Sequence, residues 1–364
     1  MERLIFERLN GGERVTAVVT TVVVDGHRRY HRRTVTGGAI AITQRAASRR
    51  RRLLIENVQA YLFLLPAFVV LLVFKIFPAL YAIYISFFKW DIVQGAFRGI
   101  ENYTDILFGS RAENWWQSVS TTITFALITV PFEIALALVI AYLLFQKIRG
   151  RAVYRTIYYL PYITATVAAA AVFEYLYHPQ YGILNTILSS VGLGPLRFLQ
   201  EPTGIFEMIG NRFGADVPAW AAGPSLSLVS VAIFSIWHFL GFQIVIFLGG
   251  LGNIPVEYYE AARLDGANPR QVFTRITLPL LTPQIFFVFT IASIGVLRAF
   301  NEIFVLTNGG PLDTSRTVSM LVFRTFFQQG QIGFGSAMGV LLTLLILAFT
   351  LVQFRVLERR VQYG

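Results

Sequence analysis

Six stretches of this chain, roughly residues 58–85, 118–145, 153–176, 225–251, 282–306 and 335–357, run for more than 20 residues with at most two charged side chains each. About 20 apolar residues in helical form cross the hydrocarbon core of a bilayer, so each run is long enough to span. The runs lack the alternation of a barrel strand. Backbone groups in lipid must also be satisfied within the segment, which favours helices. The expected fold is therefore all-α, an integral membrane protein with six transmembrane helices. Composition agrees: 55% of residues are hydrophobic and 14% charged, where a soluble domain carries about 25% charge.

The net charge of +11 has a position as well as a sign. Residues 1–56 hold twelve arginines against five acids, and Arg49 to Arg52 abut the first span. Lys147, Arg149, Arg151 and Arg155 lie between the second and third spans, and Arg355, Arg359 and Arg360 close the chain. Basic residues in short loops collect on the cytoplasmic side, and all three groups fall on one side. Both termini are thus expected in the cytoplasm of a bacterial or archaeal cell, in a multi-pass protein of the cytoplasmic membrane. Basic charge placed this way orients helices, so a nucleic-acid partner is not expected and membrane lipid is. The segments 86–117, 177–224 and 307–334 then face outward, with Trp90, Trp115, Trp116 and Tyr177 suited to the membrane interface. Segment 177–224 reads as a small external cap. The domain plan is a basic cytoplasmic tail, 1–56, read foremost as disordered, ahead of a transmembrane domain, 57–360. Within the tail, Val15 to Val24 has strand character and the sequence HRRYHRR suits anionic headgroups.

One polar segment, the loop 252–281, breaks the apolar pattern on the cytoplasmic side. Pro255 stands where a helix begins, VEYYEAARL is helix-compatible, and Asp265-Gly266 supplies a stop with a left-handed option at glycine. Asn268 is then an N-cap, Pro269 fits the first helical position, and Gln271 stands where a capping-box partner would. A second short helix is predicted to about Thr277, ended by Pro279, with Pro283 opening the next span. Tyr258, Ala261 and Ala262 share one face, and Pro269, Val272, Phe273 and Ile276 another. The acids Glu257, Glu260 and Asp265 balance Arg263, Arg270 and Arg275, which suits docking onto a protein better than lying on lipid.

These residues carry a resemblance. Glu260-Ala261-Ala262, then Asp265-Gly266-Ala267, then Ile276 and Leu278-Pro279, resemble the EAA loop of ABC importer permeases. FRGIENYTDIL after the first span, VLTNGGP after the fifth and RTFFQQGQIGFGSAMGVLLTLLI into the last are similar to the carbohydrate-importing, maltose-type, binding-protein-dependent branch. The resemblance covers 57–360 and leaves out the tail. It implies a type I importer transmembrane domain whose two short helices couple to a cytoplasmic ATPase. It also implies a second homologous permease, two ATPase subunits and an extracytoplasmic sugar-binding protein. The alternatives are the same machinery for a polyol, glycerol phosphate or another small polar solute, and an ion-coupled secondary transporter.

The chain itself lacks the groups for hydrolysis. A phosphate-binding loop needs glycine directly before lysine, yet Lys75, Lys89 and Lys147 follow Phe74, Phe88 and Gln146. There are no cysteines and no clustered metal ligands, so no enzyme, cofactor or metal is expected here, with ATP and Mg at the partner ATPase. Polar groups inside spans are costly and therefore candidates for function. Glu133, Trp237, His238, Gln243, Asn301 and Glu302 form a candidate substrate path, because aromatic faces stack on sugars while amides and imidazoles bond hydroxyls. Each taken singly fits core packing as well. Arg298 and Glu302, four apart, are expected to pair along one helix face.

Overall fold

The computed structural model describes residues 3–5, 18–20, 56–146 and 149–357. Two compact units divide the chain, Met1–Leu80 and Tyr81–Gly364. In the first, strands β1 (Arg3–Ile5) and β2 (Val18–Thr20) pair antiparallel, with Leu4 opposite Val19. The expected tail otherwise lies outside the described residues. Helix α1 (Glu56–Ile85) follows the first predicted span closely.

The second unit is helical apart from one hairpin, β3 (Phe88–Trp90) with β4 (Gln94–Phe97). Helices α2 (Glu101–Leu107) and α3 (Ala112–Phe145) follow. The buried Asn102 amide donates to the carbonyls of Ser86 and Phe88, at 2.8 and 2.9 Å, which fastens the FRGIENYTDIL segment to the hairpin. Next come α4 (Arg151–Ile163) and α5 (Thr166–Leu176), then the short helices α6 (Ile183–Ser190) and α7 (Ile205–Arg212), and the long α8 (Leu226–Gly252). The polar loop forms α9 (Val256–Leu264) and α10 (Pro269–Leu280), and α11 (Thr282–Leu297) leaves it. A short α12 (Asn301–Leu306), α13 (Val318–Phe323) and the final α14 (Ile332–Leu357) complete the chain.

Among the described residues, four helices are long and apolar enough to cross a membrane, and six segments are if each of two bent pairs counts as one span. Helices α3 and α8 pack along each other as the centre of the unit. One apolar core joins them to α5, α12 and α13 through Phe125, Phe234, Ile303 and Met320. A second, nearer the polar loop, gathers Ala137, Ala141, Phe247, Leu281 and Val288. A third seats α2 and α14 on α3 through Ile106, Trp115 and Met338.

Five expectations need correction. The third span, predicted whole over 153–176, is two helices meeting at 98°. Thr164 and Ala165 are both extended, and the Thr164 hydroxyl donates to the Pro161 carbonyl at 2.6 Å, which satisfies an acceptor the break leaves open. An apolar run registers composition and is blind to such a corner. The fifth span stops at Leu297 and resumes at Asn301. The Ala299 carbonyl in that gap accepts from Thr317 Oγ1 at 3.1 Å instead of from a helical amide. With the helix broken, exposed Arg298 and buried Glu302 lose their i,i+4 relation, and no ion pair joins them among the described residues.

Pro279 does not end its helix. A π turn, Phe273–Thr277, precedes it, and the Leu278 amide donates five residues back to Phe273. The wider turn makes room for a proline ring that would clash with the carbonyl four residues before it. The same device, Leu72–Ile76, precedes Pro78 in α1. The bend of 65° falls later, at Leu281. Finally, Trp115 and Tyr177 are buried core residues and not interface aromatics; the Tyr177 hydroxyl donates to the Ser230 carbonyl at 3.0 Å.

Candidate functional site

The polar loop is built from its caps outward. Pro255 precedes α9, and Gly266, at φ 70°, turns the chain after it. That left-handed conformation is open to glycine and strained for a side chain. A capping box then starts α10: the Gln271 amide donates to Asn268 Oδ1, and the Asn268 amide to Gln271 Oε1, both at 2.9 Å.

The two helices face differently. Helix α10 packs back on the bundle, with Phe273 edge-on to Tyr142 of α3 at 4.8 Å and Thr277 buried. In α9 only Ala262 is buried, at 7% exposure, while Tyr258 and Leu264 are 53% and 89% exposed. Glu260, Ala261, Asp265 and Gly266 are exposed beside them, and Ala267, Ile276, Leu278 and Pro279 are half-buried against α10 and its junction. The expected apolar face of Tyr258, Ala261 and Ala262 is thus divided, one alanine turned inward and the rest outward. The loop is a capped projection, and no other segment among the described residues covers its outer face.

Farther along α8 the expected path residues separate into two sets. Glu133 and Gln243 are both buried and meet across the α3–α8 interface, the Gln243 amide being the hydrogen-bonding side chain beside the carboxyl. His238, buried one to two turns away, shares a hydrogen bond of 3.1 Å between its Nε2 and Thr166 Oγ1 at the start of α5. Its ring stacks on Phe234. Trp237 points elsewhere, half-exposed against Phe173, and Asn301 is exposed while Glu302 is buried at the head of α12.

Thr129 and Ser235 belong with this cluster and were not singled out from the sequence. Their hydroxyls, one carboxylate oxygen of Glu133, the Gln243 carbonyl oxygen and His238 Nδ1 are all buried without a hydrogen-bond partner among the described residues. Thr129 is one helical turn before Glu133, and Ser235 three residues before His238, so helical spacing from the flagged residues would have found both. Orphaned polar atoms at one interface mark a place where water or a polar solute can bond.

A second arrangement missed in the sequence lies at the opposite end of the bundle, in the turn after α12. Asp313 receives Arg316 Nη1 at 2.6 Å and Arg324 Nη1 at 2.8 Å. Arg316, nearly buried, also donates to Asn114, Gln117 and Ser118 on α3, and Arg324 Nη2 to the Asn308 carbonyl. Burial lowers the Arg316 guanidinium from its ordinary value, with Asp313 opposing and Arg324 reinforcing the shift. The glycine-rich turn Asn308–Pro311 is therefore fastened by its flanks. The acid and two arginines are legible in DTSRTVSMLVFR only once α3 is known to lie beside them.

The family described as the binding-protein-dependent transport system inner membrane component matches residues 102–363. The chain belongs to that family. This permease is 33% identical over 303 residues to the trehalose/maltose transport system permease protein MalF of Thermococcus litoralis, covering 83% of the permease and 94% of the relative. It is 30% identical over 300 residues to the arabinooligosaccharides transport system permease protein AraP of Halalkalibacterium halodurans, covering 82% and 87%. Among solved structures, a chain of a bacterial alginate ABC transporter, in complex with alginate pentasaccharide-bound periplasmic protein, superimposes with a TM-score of 0.70. Identity there is 21%, with 86% of the permease and 98% of that chain covered, which establishes a shared fold. The fold is that of a type I ABC importer transmembrane domain, as the EAA resemblance implied.

Proposed function

We propose that the permease is the membrane-spanning subunit of an ATP-driven importer that passes a carbohydrate inward by alternating access. The carbohydrate is delivered by an extracytoplasmic binding protein. A homologous second permease completes the pathway, and two ATPase subunits, holding ATP and Mg, supply the energy. The observation that carries the ATPase assignment is the loop α9–α10. One helix is anchored on the bundle and the other presents Tyr258, Glu260, Ala261 and Leu264 outward, so a partner moving α9 pushes α11 and α3 through the contacts of α10. In this reading the loop is cytoplasmic, as are both termini.

Carbohydrate as the solute class is supported by the named transport systems of the curated relatives. The buried hydroxyl, amide, imidazole and carboxyl groups between α3 and α8 suit a polyhydroxylated solute, which both donates and accepts hydrogen bonds. Glu133, Gln243, Thr129, Ser235 and His238 are assigned to the path. Trp237 and Asn301 stand outside that cluster. The test is ATPase activity and uptake by the reconstituted complex with its binding protein across a panel of maltose, trehalose, arabinooligosaccharides and alginate oligosaccharides. Stimulation by at least one saccharide is expected. A complex stimulated only by non-carbohydrate solutes overturns the substrate class.

A further inference from the structure

A cavity of about 320 Å³ opens at the end of the bundle opposite α9–α10, between the last turn of α5, the loop at Leu199–Gln200 and the end of α12. Ligand pockets begin at about 300 Å³. The cavity lies beyond the outermost residue of the α3–α8 cluster: Tyr177, which lines it, is tied to Ser230, and Ser235, His238 and Gln243 follow five, eight and thirteen residues farther along α8, about 7.5, 12 and 20 Å at the helical rise. We infer that this cavity is a receiving site where a neutral saccharide is held on its way from the binding protein to the path between α3 and α8. The inference rests on the carbohydrate reading above.

The lining supports this in two parts. Pro179, Leu199 and Val305, half-buried, contribute apolar surface for sugar C–H groups, while Tyr177, buried, bonded to Ser230 and packed on Phe173 and Phe198, borders the cavity. The polar groups are Glu174, His178, Gln200 and Asn308. His178 is held flat against Tyr181, ring centroids 3.4 Å apart, and its Nδ1 accepts from the Gln180 amide at 3.2 Å. The neutral ring therefore carries its proton on Nε2, a donor. Glu174 offers an acceptor, and the side-chain amides of Gln200 and Asn308 offer both, with none of the three engaged by a hydrogen bond or ion pair among the described residues. Thr307, by contrast, is occupied by Ile303, Gly309 and Ser315.

Free donors and acceptors around an apolar patch match a ring bearing hydroxyls. They also hold position: Asn308, at φ 48°, has its carbonyl fixed by Arg324. Glu174 is the single charge in the lining, so a neutral sugar fits and an acidic one is repelled.

The chain has no cysteine, so Gln200→Cys gives it one labelling site. The complex carrying this variant is treated with a maleimide, and modification is read on this chain's mass with and without the panel sugar that the wild type imports. Sugar is expected to slow modification, and Glu174→Gln and Asn308→Ala are each expected to raise the KM for uptake about fivefold, the effect of one lost hydrogen bond. Unchanged labelling with unchanged KM overturns the receiving site while leaving sugar import standing. Loss of affinity for the sugar-free binding protein in Glu174→Gln, without sugar protection, assigns the cavity to a protein side chain and also overturns it. A wild type that imports no saccharide removes the carbohydrate reading, and this site with it.

Discussion

Gly266 and Arg316 show how single residues act here, one through the backbone and one through its partners. At Gly266 a Cβ would meet nothing within 4 Å, so the demand is conformational alone. Gly266→Val is expected to cost about 1–2 kcal/mol of local strain, to leave membrane insertion intact and to reduce sugar-stimulated ATPase activity. Retained ATPase co-purification with full stimulation would show that the turn has no coupling role. Arg316→Ala leaves Asp313, Asn114, Gln117 and Ser118 without their shared donor. Removing one member of such a nearly buried set costs about 3 kcal/mol, expected as a lower unfolding temperature of the purified complex, with Arg316→Lys recovering part of it. For Glu133, replacement by glutamine keeps the shape beside Gln243 while removing the carboxyl; several-fold weaker uptake at an unchanged unfolding temperature is expected if it lines the path. A fall in unfolding temperature with normal uptake would mark it as a packing residue.

Among elements, the long helices α1, α3, α8 and α14 were legible as apolar runs, and the short ones where their ends are chemically marked. Pro255, Gly266, Asn268, Pro269 and Gln271 delimit α9 and α10 in the sequence, and each takes the role its chemistry suggests. The corners in the third and fifth spans were illegible because both lie inside apolar runs. What creates them is tertiary: Thr317 capturing the Ala299 carbonyl, and α4 lying across α8 where Gly241 admits the backbone at Tyr158. A Cβ on Gly241 would collide with the Tyr158 carbonyl, so Gly241→Leu is expected to displace α4 and lower expression of folded complex. Normal yield and thermal stability of that variant would argue against a close crossing. The buried polar cluster was legible in three of its five residues. Glu133, His238 and Gln243 announce themselves as polar groups in apolar runs, whereas Thr129 and Ser235 pass as ordinary membrane-helix residues until α3 and α8 are paired.

At the scale of the molecule, the permease combines an apolar bundle with polar work at three levels. A capped projection stands at one end, an incompletely bonded polar cluster lies within, and a fastened turn beside a cavity stands at the other end. The proposed alternating access requires that the first and last of these communicate, and α3 and α8, packed along each other, are continuous elements that run between them. Coupling through α9–α10 is the central claim. Its most direct measurement is ATPase activity of the reconstituted importer, with binding protein and transported sugar, for wild type and Glu260→Lys side by side. Reversing that exposed charge on α9 is expected to abolish sugar stimulation or strip the ATPase from the membrane complex, with the permease still inserted. Undiminished stimulation and uptake, with the ATPase fully retained, would contradict it.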